Sequence, residues 1–367
     1  MNALVLFLGA ALVADPEPVT RNTYFTAETL LAADSLFDPP LRAQSPGQGP
    51  YDENPPWSSP QTFAPPESPP LYDPLLQQPP GAGPADIYDP SLSFGAVGPQ
   101  PYRFGWSSRY DVGFLPEEPV HGSGASGSFG IMELNAAWRY STGWPTALPS
   151  VIFSWTPEFN YRSWSGPITP ALPENVFRFA SDFELATPGN NPVSLQLGFT
   201  PAFVSDLSAS PNSDAFNWDG RGVVFLRTTP QFMVALGAAY LKRVDDIVIP
   251  YAGVVWTPND AWELRLMFPK TRVSYFLGDL VGTAAWAYFG LEYNVEAYQI
   301  NLLGPTGQDE KIQLRDYRAT FGLRGEYRGL VGFVEVGWVF AREAEFLHGT
   351  PDFDIDTGFI GRLGLRF

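Results

Sequence analysis

Two histidines, His121 and His348, are the only imidazoles in this 367-residue chain. General acid–base or nucleophilic catalysis usually needs such a group beside a nucleophile or an acidic partner. Both fall in segments that read as loops, and neither Ser-centred elbows nor HExxH spacing accompanies them. His348 is followed by Asp352, Asp354 and Asp356, a stretch that begins like a calcium loop. The spacing then fails, because Thr357 stands where the turn glycine is required and Leu363 where the bidentate acid is required. With Cys absent, thiol chemistry, disulfides and Cys-ligated zinc are excluded. The expectation is a protein without enzymatic activity, metal or cofactor.

The charges that do follow a pattern lie inside alternating stretches. Acids occupy the polar phase at Glu133, Glu158, Asp182, Glu184, Glu263, Glu292, Glu296, Glu326 and Glu335. Bases occupy it at Arg139, Arg162, Arg178, Arg227, Arg265, Arg318, Arg324, Arg362 and Arg366. The two sets are equal in number, whereas a strongly ion-selective pore lines its constriction with one sign. A wet lumen of mixed charge would pass small solutes with weak selectivity. Alternatively, Arg–carboxylate pairs could knit neighbouring strands into a nearly closed polar core.

The elements that must carry these charges are strands. From residue 103 onward apolar and polar residues alternate with period two, as in Met132, Leu134, Ala136 and Trp138 against Glu133, Asn135 and Arg139. Runs of ten or more residues recur, near the length of a tilted membrane-crossing strand and well beyond the usual 5–6 of globular proteins. Thirteen segments can be counted at first. Pro269 inside the run Ala261 to Leu277 splits one of them, since Pro is poorly tolerated within a paired strand. The even number that single-chain barrels require is thereby restored.

The strands fall near 103–114, 129–141, 150–164, 175–187, 192–204, 220–230, 231–243, 246–256, 261–268, 271–278, 283–298, 312–328, 330–345 and 357–367. With the first strand entering from the periplasm, the long connections at 115–128, 165–174, 205–219, 299–311 and 346–356 lie outside and the tight turns inside. Omitting the first strand gives a twelve-stranded alternative that places 205–219 on the short-turn side.

The last strand carries the most specific signal. Phe359, Leu363, Leu365 and the terminal Phe367 share one face, opposite Ile360, Arg362 and Arg366. This resembles the closing strand of bacterial outer-membrane β-barrels of the porin-like class, where such an ending is read by the barrel-insertion machinery. The resemblance covers residues 102–367 and singles out no subfamily. It implies an all-β, transmembrane antiparallel up-and-down β-barrel of about 14 strands, with outer-membrane lipid and the insertion machinery as partners.

Composition agrees. Aromatics reach 15%, including 11 Trp, as interfacial aromatic girdles require. A net charge of -17 with only 3 Lys argues against nucleic acid. The apolar run Ala3 to Ala14 is too short to span a bilayer and reads as a signal-peptide core over residues 1–14. From Asp15 to Arg103 lie 20 of the 38 prolines, with 11 acids against 3 bases. Residues 15–102 are therefore expected to be a mostly disordered periplasmic segment, with a short helix over Thr26 to Phe37 as its one exception.

Three functions follow as expectations. The first is a passive pore or transporter for small molecules, favoured because fourteen strands enclose more space than side chains fill in an eight-stranded barrel. The second is a structural barrel with an occluded lumen, tethered to the cell wall through residues 15–102. The third is a soluble secreted β-sandwich, whose strands also alternate. Substrate and oligomeric state have no signature in the sequence.

Overall fold

The computed structural model describes residues 104–144, 151–187, 192–208, 210–303, 308–327 and 330–367. The expected signal peptide and the Pro-rich segment 15–102 lie outside the described residues. The strands are β1 (Gly105–His121), β2 (Ser128–Trp144), β3 (Val151–Ser165), β4 (Asn175–Ala186), β5 (Val193–Ser205), β6 (Phe216–Thr229), β7 (Phe232–Lys242) and β8 (Asp246–Asn259). They continue as β9 (Trp262–Phe268), β10 (Lys270–Leu280), β11 (Thr283–Asn301), β12 (Asp309–Tyr327), β13 (Leu330–Phe346), β14 (Phe353–Ile355) and β15 (Gly358–Arg366). One 3₁₀ turn, Ser213–Ala215, precedes β6.

Each strand pairs antiparallel with its neighbour in sequence, and β15 pairs with β1 from Arg109↔Arg366 to Phe114↔Gly361. β14 and β15 are two halves of one interrupted strand, since both lie between β13 and β1. The ring is therefore closed and fourteen-stranded, an up-and-down barrel without a free edge strand at its seam. The split at Pro269 is present: β9 ends at Phe268, β10 begins at Lys270, and the two pair from Arg272↔Arg265. Strand ends differ from the expectation where pairing outlasts the alternation. β1 runs on to His121, so His121 belongs to a strand end, and β6 starts four residues earlier, at Phe216.

The outward phase is apolar and exposed, with Phe114, Phe179, Leu197, Phe321 and Val336 among its residues. Aromatic rings gather at two levels. Near the short turns, Trp106 meets Tyr140 at 5.3 Å, Tyr110 stacks on the terminal Phe367 at 5.9 Å, and Trp262 lies 4.8 Å from Tyr275. Nearer the long connections, Phe268, Tyr293, Tyr317 and Phe340 form a continuous row, with centroids 6.0, 5.1 and 5.9 Å apart. On β12 the ten steps from Tyr317 to Tyr327, at ~3.3 Å each and a tilt of ~40°, span about 25 Å. That is the height of the apolar band of a membrane barrel.

Above the second aromatic level the wall stops being a cylinder. The β9–β10 hairpin is short, and β11 loses β10 as a neighbour at the pair Lys270↔Glu292. At the same height a bulge shifts the β12–β13 register between Arg315 and Tyr317, with Ala341 at φ 48° opposite it. A bulge bends the strands that carry it. Beyond these points every residue of β11 from Glu292 to Ile300 is buried on both faces, as are Glu310 to Leu314 of β12.

The end of this hairpin reaches across the barrel. Gln299 pairs with Ser205 of β5 in a parallel bridge, and Asp206 N–H donates to the Gln299 carbonyl at 3.1 Å. Tyr293 and Val295, on its outward phase, pack with Phe225, Leu241, Ile249 and Tyr251 of the inner wall of β6–β8. Tyr298, Ile300, Ile312 and Leu314, on its inward phase, pack with Phe129, Ile131, Trp164, Val176 and Val204 of β2–β5.

Candidate functional site

Just below that apolar layer, the inward phases of opposite walls meet through charge. Arg162 of β3 donates to Glu296 of β11 from Nη2 at 2.7 Å and from Nε at 3.1 Å. Five strand positions separate these two along the shorter arc of the ring, so the pair spans the lumen. Arg318 of β12 likewise reaches Glu133 of β2, at 3.0 and 3.4 Å, while its Nε donates to Asp316 at 2.7 Å.

Neutral groups and one lysine complete the crossing. Asn135 Oδ1 accepts from Arg162 at 2.7 Å and from Asn160 at 2.9 Å, and Tyr298 donates its hydroxyl to Glu296 at 2.8 Å. Lys311 Nζ donates to Asn217 Oδ1 at 2.9 Å, and Asn217 Nδ2 donates to the Ala297 carbonyl at 3.2 Å. Gln299 Nε2 donates to the Ser210 carbonyl at 3.0 Å. Arg162 and Arg318 are 2% and 3% exposed, which makes these strongly desolvated pairs.

The remaining inward charges pair along the wall. Arg178 holds Glu158 at 2.6 Å and Asn160 at 2.8 Å. Arg221 bridges Asp182 at 2.6 Å and Glu184 at 2.8 Å, and Arg139 reaches Glu184 at 2.7 Å. Arg265 pairs with Glu263, and Arg324 with Glu326 at 2.9 Å. Arg362 contacts Glu335 at 2.5 Å and Glu292 at 2.9 Å, with Tyr288 donating to Glu335 at 2.8 Å. Arg227 sits beside the short turn, donating to Pro230 O at 3.4 Å, and Arg366 lies in register with Arg109 near the seam.

The interior thus brings together most of the charges picked out from the polar phase, plus several that phase counting passed over. Arg221, Arg272 and Asp316 stood in the same phase within the expected strands and could have been read there. Asp111, Asp219, Arg243 and Lys311 lay at or beyond the expected strand ends, or on a strand not read for charge. Of the assembly-signal residues, Phe359, Leu363 and Phe367 face outward and exposed, while Leu365 is half-buried on the same phase. His121 pairs with Asp356 at 3.1 Å and His348 with Asp214 at 3.0 Å, both at the rim that bears the long connections. No group of His, Asp and Glu suited to a metal ion occurs among the described residues.

A closed antiparallel ring, apolar and aromatic outside and ion-paired inside, is the build of an outer-membrane β-barrel. No protein-family model and no curated protein matches the chain. Among solved structures, the toluene transporter TodX of Pseudomonas putida is 8% identical over 78% of this chain and 96% of its own, with a TM-score of 0.36. An outer membrane channel from Pseudomonas putida F1 is 12% identical over 72% and 97%, with a TM-score of 0.37. LpxR from Salmonella typhimurium is 10% identical over 70% and 99%, with a TM-score of 0.30. At such scores none of them informs the chemistry of this lumen.

Proposed function

We propose that the chain is an outer-membrane pore or transporter for small molecules and that the conformation described is its closed state. The carrying observation is the nature of the obstruction. The wall is a ring of backbone ladders, whereas the hairpin crossing it holds the opposite side by side-chain pairs, the backbone bridge Gln299↔Ser205 and one bond from Leu303 N–H to the Ala171 carbonyl at 2.9 Å. Along its other flank the hairpin stays laddered to β13 from Ile312↔Phe346 to Arg315↔Glu343, so it can release the opposite side while remaining joined to the ring. The balance of acids and bases along the wall supports weak charge selectivity once the path is clear. Lipid and the insertion machinery are the partners this reading needs.

A second reading, a structural barrel with a permanently filled lumen, draws on the density of buried ion pairs. Planar-bilayer conductance of the refolded full chain separates the two. The pore reading expects a mostly closed protein with brief openings, and more frequent openings in Glu133→Gln/Glu296→Gln. A folded double variant as silent as the parent would favour the structural barrel.

A further inference from the structure

The crossing hairpin closes the barrel with greasy side chains as well as charged ones. Phe129, Trp164, Val176 and Val204 line the inner wall of β2–β5, and each is at most 3% exposed. What fills the space against them includes Tyr298 and Ile300 of β11 with Ile312 and Leu314 of β12. The Tyr298 ring stands edge-on to Trp164 at 5.7 Å, and Phe129 meets Trp164 in the same geometry at 5.7 Å. The lumen of a membrane barrel is ordinarily polar, so an inward-facing aromatic and aliphatic surface is a local departure in chemistry.

Swinging the hairpin outward would expose both halves of this contact to water at once. The hydrophobic cost of baring four such side chains keeps the open form a small minority on its own. A polar solute offers nothing to replace the contact. An apolar one does, because it can take the place of Tyr298 and Ile300 against the wall. A ligand shifts a conformational balance only through its differential affinity for the two states.

We propose that the inner wall formed by Phe129, Trp164, Val176 and Val204 is a binding seat for small apolar, preferably aromatic, solutes, which the chain's own Tyr298 and Ile300 occupy in the closed state. This rests on the pore reading and specifies its substrate class. The bends at the β12–β13 bulge and at the end of the β10–β11 pairing supply the hinge, about which the hairpin swings together with the end of β13 that it stays paired to, Glu343 to Phe346. Both lie just above the Phe268–Tyr293–Tyr317–Phe340 row, so the moving part is outside the lipid band.

The chain lacks cysteine, so one introduced thiol reports the hairpin alone. Gln299→Cys places it on the hairpin, and Ser205→Cys places it on the facing wall. Both positions are fully buried in the closed state. In lipid vesicles each folded variant should react slowly with a water-soluble maleimide. Naphthalene at saturating concentration should raise the rate at least tenfold, and glucose should leave it unchanged. Adding Trp164→Ala should abolish most of the naphthalene effect while leaving the ring folded.

Rates indifferent to naphthalene in both variants, or equally raised by glucose, would overturn the seat. Parallel conductance keeps this apart from the pore reading. Accelerated labelling without conductance supports the seat and removes the pore, whereas conductance with naphthalene-insensitive labelling does the reverse.

Discussion

Removing Glu296 is the most direct way to ask whether the lumen is dry and filled. Its carboxylate takes Arg162 Nη2 at 2.7 Å, Arg162 Nε at 3.1 Å and the Tyr298 hydroxyl at 2.8 Å, and it is 8% exposed. Glu296→Ala would leave a guanidinium buried without its counter-charge, which costs about 3–5 kcal/mol. Glu296→Gln retains an acceptor oxygen for one of the donors, and hydrogen bonds to charged groups are worth ~1.5–3 kcal/mol, so a loss of about 2–3 kcal/mol is expected. Replacing both partners, as Arg162→Met/Glu296→Leu, removes the stranded charge and should be close to neutral. With the single variants Arg162→Met and Glu296→Leu, the cycle then returns a coupling of ~3 kcal/mol or more. Urea unfolding in lipid vesicles, followed by tryptophan fluorescence, measures every variant. Single variants costing under ~1 kcal/mol and adding without coupling would mean that water already bathes this pair, and the reasoning from burial would fail.

Other expectations follow from the two faces of the wall. Phe179→Arg and Phe321→Arg, at positions 45% and 54% exposed near the middle of the lipid band, should each cost about 2–4 kcal/mol in vesicle unfolding. Arg178→Gln should be no milder, at about 3–5 kcal/mol, because Glu158 at 2.6 Å would lose its buried counter-charge; near-neutral behaviour would indicate a wet site. Deleting Phe367, whose N–H and carbonyl pair with Ser108 at 3.0 and 2.7 Å, should sharply lower the amount recovered in outer-membrane fractions. Wild-type amounts there would discount the terminal strand as an assembly signal. Gly253→Ala would place a methyl 2.1 Å from the Leu266 carbonyl of β9, prying the β8–β9 ladder apart for at least ~2 kcal/mol; an unchanged heat-stability profile on gels would contradict that close approach.

Much of the wall was legible because a strand with one face in lipid must alternate, and each turn interrupts that rhythm. Pro269 marked the β9–β10 boundary for the same reason, since it cannot sit inside a paired strand. Alternation reports phase, however, and carries no depth. Phe129, Ile131 and Trp164 share the inward phase with Glu133 and Arg162, and nothing local says that they pack beneath a folded-in hairpin.

The bend was equally silent. It comes from a bulge between Arg315 and Tyr317 and from the shortness of β9–β10, two features that act only once the strands lie side by side. The equal count of inward acids and bases left an open lumen and a paired core both possible. The deciding contacts, Arg162 with Glu296 and Arg318 with Glu133, join residues 134 and 185 positions apart.

The short β9–β10 hairpin has a consequence for engineering. Since the ring is complete below residue 292 of β11, and above that level the occluding tip is laddered to its neighbours in the wall only through β13, the tip is a detachable part. Replacing residues 294–314 with a tight connection would leave the membrane-embedded staves and their seam intact. The product would be a chassis of fixed bore, free of cysteine, into which single thiols could be placed at will for nanopore sensing. The shape of its mouth could then be redesigned without retuning the part that must first fold into lipid.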